Sequence, residues 1–108
     1  MKYGEAIEAL REGKCVARQG WNGKGMFVCK QVPSEIKSNI VPVMQLLPGS
    51  AKELFQKTFD DEDAQIDAIY YANQMIIVSI ANSNLINSWV ASSSDTFAED
   101  WYIVETEA

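Results

Sequence analysis

Gly20-Trp21-Asn22-Gly23-Lys24-Gly25-Met26-Phe27 gathers three glycines, an asparagine and a lysine about two large aromatic side chains. Glycine has no steric bar to positive φ and asparagine tolerates it, so the chain can reverse tightly here. A tight reversal brings the Trp21 and Phe27 rings close to bared backbone. That is the chemistry of a pocket for a flat ligand: rings stack on a base while N–H groups reach its polar edge. On this stretch alone, an ordinary Asn-Gly hairpin with Trp21 packed in the core is the commoner outcome.

A second block, Trp89-Val90-Ala91-Ser92-Ser93-Ser94-Asp95-Thr96-Phe97-Ala98-Glu99-Asp100-Trp101, places two tryptophans around a run of hydroxyls. Ser92 with Asp95 three residues on has the form of a helix N-cap, whose free N–H groups can seat a phosphate or ribose oxygen. The plainer reading, that Ser92 and Asp95 satisfy each other's backbone, is favoured without other information. Trp101 precedes an apolar segment and is expected in the core. Asp95, Glu99 and Asp100 are close enough in sequence to suggest a metal-dependent phosphodiesterase as a competing reading.

Composition narrows the chemistry. The chain has no histidine, which removes Ser-His-Asp and Cys-His catalysis and the commonest zinc ligand. Nine basic against 15 acidic residues give a net charge of −6. That disfavours DNA or RNA, whose binding depends on a basic face. A small ligand with one or two phosphates needs only local donors. Cys15 and Cys29 cannot build a zinc site alone; they lie nearly symmetrically about the turn and are expected as facing thiols that fill core volume. Asp60-Asp61-Glu62-Asp63 lacks the alternating spacing of a calcium loop and reads as a solvated turn. No apolar run approaches the ~20 residues that span a bilayer, and no secretory signal opens the sequence. A cytoplasmic protein, in a bacterial host, without cofactor or membrane partner, is the expectation.

The elements that must position these blocks follow from periodicity. Tyr3, Ile7 and Leu10 share a helical face and Gly13 follows as a stop, which predicts a helix over 3–12. Strands are expected at 15–19, 26–32, 66–72, 75–81, 85–91 and 101–105, with a turn at Asn82-Ser83-Asn84 and a helical turn at 95–99. Pro33, Pro42 and Pro48 punctuate the middle of the chain. Ser34-Glu35-Ile36-Lys37 suits one or two helical turns. Ser50-Ala51-Lys52-Glu53 has the capping-box form and predicts a helix over 51–59, whose Phe55 and Phe59 suit a docking face better than a cofactor site. The fold class is α+β: a small antiparallel sheet or open barrel of about six strands, with an N-terminal helix and a helical insertion at 33–63, in one domain over 1–108.

The two blocks together are more specific than either. Gly4-Glu5-Ala6, Gly13-Lys14, Val16-Ala17-Arg18, the 20–27 turn, Trp89-Val90-Ala91-Ser92, Asp95 and Ala98-Glu99-Asp100-Trp101 closely resemble a phage and prophage family, the Thoeris anti-defence proteins of the second type. The resemblance rests on residues 3–32 and 75–104. It implies a binding protein, not an enzyme, that is homo-oligomeric, typically tetrameric. Such proteins sequester cyclic ADP-ribose isomers made by bacterial TIR-domain proteins, and some hold cyclic dinucleotides at a separate site. Carried onto this chain, Trp21 and Phe27 are candidates to stack on adenine, and Asn22 and Gly23 to hydrogen-bond base or ribose. Trp89, Ser92 and Asp95 are candidates to close the pocket, from the same or a neighbouring subunit. Ser93, Thr96-Phe97 and Asn87-Ser88 depart from the family pattern at the pocket rim.

Energetics favour an enclosed site in a sponge of this kind. Holding a nucleotide at ~10 nM takes roughly 11 kcal/mol, and one stacking face supplies only ~1–3 kcal/mol per base. A third reading is a protein-interaction module of a phage or prophage with Trp21 and Trp89 as anchors.

Overall fold

A computed structural model describes residues 1–21 and 25–105. The chain divides into two compact units, one formed by Met1–Gln31 and Asn73–Ala108, the other by Val32–Ala72.

In the first unit, helix α1 (Tyr3–Arg11) forms as its period requires, with Ala6, Ala9 and Leu10 buried. Five strands make one antiparallel sheet: β1 (Val16–Arg18), β2 (Met26–Lys30), β5 (Met75–Ser79), β6 (Leu85–Ser88) and β7 (Trp101–Ile103), in the order β6-β5-β2-β1-β7. The strands β1 and β2 flank the glycine turn and pair with Val16 opposite Val28; Val28 in turn faces Ile77, and Val16 faces Ile103. These four share one side of the sheet and pack with the buried face of α1 and with Trp101, which is 2% exposed. A short helix, α3 (Ser93–Phe97), precedes β7. The Ser83 and Asn84 backbones sit at positive φ in the β5–β6 turn, where the sequence predicts it.

One step along the β1–β2 register from Val16 and Val28 sets Cys15 opposite Cys29. Both are free thiols, half-buried; burial, then the neighbouring thiol, pushes the Cys29 thiol up. The facing arrangement is as expected. Core filling is not: alternation turns both away from Val16 and Val28, and neither belongs to the cluster under α1.

In the second unit, β3 (Ser34–Lys37) pairs antiparallel with β4 (Ala68–Tyr71), Ser34 opposite Tyr71 and Lys37 opposite Ala68. The helical turn expected at 34–37 is therefore a strand. Four residues after Pro33 hold too little local helical preference to resist a partner strand, and pairing decides. Helix α2 (Gly49–Asp60) starts one residue before Ser50, with Pro48 at the N-cap and no side-chain cap. The 50–53 capping box therefore does not form, because the fixed φ of Pro48 already directs the chain into the helix. With β3, the described strands number seven.

Candidate functional site

Trp21 closes a single 3-10 turn, Gln19–Trp21, directly after β1. Phe27 lies in β2 opposite Val78. Both residues line one open cleft of about 260 Å³, together with Arg18, Met26, Ile80 and Tyr102. The two aromatic residues on either side of the glycine turn thus meet at one concavity, as the sequence suggests. Asn22 and Gly23, expected to bond a base or ribose, lie outside the described residues.

Two glycines of the turn have separate reasons to be glycine. Gly25 has φ +67°, with the Ala81 backbone 3.4 Å from where a Cβ would sit. Gly20 is needed for closeness instead: a Cβ there would lie 2.9 Å from the Asp100 carboxylate, to which its N–H donates at 2.7 Å.

Trp21 is not only a cleft wall. Its ring meets Trp89 edge-on at 6.4 Å and Trp101 edge-on at 5.5 Å, and Trp89 meets Trp101 at 6.0 Å. Each such pair contributes about 0.5–1.5 kcal/mol beyond area burial. Trp89 therefore buttresses Trp21 and does not itself line the cleft. Trp21 is half-buried: it packs on the core cluster and also lines the cleft.

Ser92 and Asp95 form a closed capping box. The Asp95 N–H donates to Ser92 Oγ at 3.1 Å, and the Ser92 N–H and hydroxyl donate to Asp95 Oδ2 at 3.1 and 2.9 Å. The cap takes up the Ser92 and Asp95 N–H groups, so the plainer reading, that this pair satisfies its own backbone, describes these bonds. The other Asp95 oxygen accepts from Arg18 Nη1 at 2.7 Å, and Arg18 Nε donates to Asp100 Oδ1 at 2.9 Å. Burial pushes the Asp95 carboxyl up, but Arg18 and Ser92 outweigh it and hold it below the usual carboxylate range. Arg18 first, then the Gly20 N–H, holds Asp100 down in the same sense. Carboxylates so engaged are poor metal ligands, which weakens the phosphodiesterase reading of Asp95, Glu99 and Asp100.

A family described as the Thoeris anti-defense 2-like domain (Tad2-like) matches residues 1–104. The chain belongs to this family. It is also similar to Thoeris anti-defense 2 of Bacillus phage SP01, with 33% identity over 104 residues, which cover 96% of this chain and 94% of that one. The Tad2-like match runs through residues 33–74, a stretch from which the sequence resemblance drew nothing.

Within this Tad2-like chain, the residue that sequence reasoning missed is Arg18. It is the one charged side chain lining the cleft among the described residues. Its two ion pairs tie the turn to the segment that starts β7. The signal was a lone arginine ending an apolar strand, with no local hint that carboxylates 77 and 82 positions on would meet it. Tyr102 and Ile80 were missed likewise, because only strand pairing brings them to Phe27.

Proposed function

We propose that this protein counters Thoeris defence by binding a cyclic ADP-ribose-type signalling nucleotide and holding it uncleaved. The observation that carries the reading is the cleft between Trp21 and Phe27, in a chain of the Thoeris anti-defense 2-like family. An aromatic wall suits a purine. The Arg18 trio, one guanidinium against two carboxylates, is net negative. It suits the sugar or base end of the ligand and not its phosphates. A cleft of about 260 Å³ falls below the ~300–1,000 Å³ of typical ligand pockets. It accommodates a base and part of a ribose, so a second surface must enclose the remainder. A homo-oligomer, tetrameric by family resemblance, supplies such a surface, and cyclic dinucleotides are a second ligand class to assay.

Phe27→Ala gives a cleaner test than Trp21→Ala, because Trp21 also holds Trp89 and Trp101. Calorimetric titration with cyclic ADP-ribose isomers is expected to show the parent protein binding at least one of them. Loss of a single stacking face, ~1–3 kcal/mol, predicts roughly 5- to 150-fold weaker binding by Phe27→Ala with an unchanged fold. Mass spectrometry after heat release should return the ligand intact. A cleaved product rejects sequestration.

A further inference from the structure

The second unit carries a groove that the nucleotide reading does not use. It has a volume of about 560 Å³ and runs between α2 and β4, walled by Phe55, Thr58, Phe59, Ile66, Ile69 and Tyr71. No described residue of α2 is buried, although Ala51, Leu54, Phe55, Thr58 and Phe59 repeat at helical spacing. Phe55, Thr58 and Phe59 on the groove wall are half-buried and Tyr70 is 70% exposed, while Leu54, beside the groove, is 64% exposed. A helix whose apolar stripe stays this open presents a surface for a partner.

Charge selects the partner. Residues 32–72 hold seven carboxylates, at 35, 53, 60–63 and 67, against three lysines. None of those at 60–63 and 67 forms an ion pair among the described residues. Asp67 has Lys37 in its neighbourhood, but that lysine is bound to Glu35 at 2.6 Å. The acidic run also sits at the C-terminal end of α2, the negative end of the helix dipole, where cations and not anions are favoured. The groove is thus apolar within and negative at one end, with no cation of its own unit in contact. A second copy would set the same negative rim against itself.

We propose that this groove docks a basic amphipathic helical segment of a partner protein. The partner's apolar face lies on Phe55 and Phe59, and its lysines or arginines meet the 60–63 carboxylates, a helix-in-groove arrangement.

The test titrates the full chain, isotope-labelled for NMR, with a short synthetic leucine–lysine amphipathic helix and with its leucine–glutamate counterpart. Binding of the lysine peptide alone is expected, with shifts confined to residues of α2, β4 and the 60–67 loop. Phe55→Ser should weaken it ~tenfold or more. Neutralising Asp60, Asp61, Glu62 and Asp63 to their amides should remove most of the salt-sensitive part. The matched control neutralises Glu5 and Glu8 on α1 and Glu12 at its C-cap and should leave binding unchanged; the amide spectrum of each variant reports whether it is folded. Equal binding of both peptides, equal loss in the α1 control, or no binding at all overturns the proposal. So does self-association that Phe55→Ser abolishes, which would assign the groove to a second copy.

Discussion

At the scale of single residues, Arg18 and its carboxylates decide how the cleft is held. Asp95 and Asp100 both titrate below the usual range because they are bonded to a guanidinium that stays charged at every accessible pH. A carboxyl depressed by folding adds stability that is present above its unfolded value, ~4, and is lost as pH falls through the lower folded value. Thermal melts of parent and Asp100→Asn are therefore expected to differ most near neutral pH and to converge as pH drops below ~4. A gap that stays constant over that range would mean that Asp100 acts through packing and not charge. The legibility of the site divides along the same line. Trp21 and Phe27 could be read because one local turn brings them close. Arg18, Asp95 and Asp100 meet through β1–β7 pairing, with Arg18 opposite Trp101, and no short sequence window contains that register.

At the scale of elements, local signals were sufficient wherever an element had its own period or cap. Helix α1 and the α3 capping box are both visible as spaced residues, and both form. The strand β3 was not visible, because its pairing with β4 lies some thirty residues along the chain and three prolines stand close by in sequence. The α3 cap deserves its own test, since it holds two things at once. Ser92 fixes the helix start, and the Asp95 carbonyl accepts from Trp101 Nε1 at 2.9 Å, tying α3 to the indole at the centre of the core. Removing an N-cap hydroxyl costs ~1 kcal/mol, which in a domain of this size lowers Tm by roughly 4–8 °C. Ser92→Ala should show that drop in calorimetry, while Ser94→Ala, outside the cap, should not.

At the scale of the whole molecule, the two units differ in how they are stabilised. The first unit contains Trp101, Val16 and Val28, all essentially buried; in the second only Val41 and Ala68 are buried among the described residues. A small unit with so little interior relies on what it is attached to or what it binds. The first has no such need at the junction. Its strands β2 and β5 are antiparallel neighbours with Lys30 opposite Met75. Just beyond them the Gln31 N–H donates to the Gln74 carbonyl at 2.9 Å, and the two glutamine side chains also bond. The ends left by removing Val32–Ala72 are therefore already in hairpin register, and a short Asn-Gly turn can close them. The expected outcome is that this shortened chain keeps the five-stranded sheet and the edge-on tryptophan cluster, read by amide NMR and near-ultraviolet circular dichroism. It should also keep nucleotide affinity within a few-fold if the Trp21–Phe27 cleft and a neighbouring copy carry it, and lose the lysine peptide entirely. Loss of the nucleotide with the sheet intact would instead mean that the affinity requires Val32–Ala72.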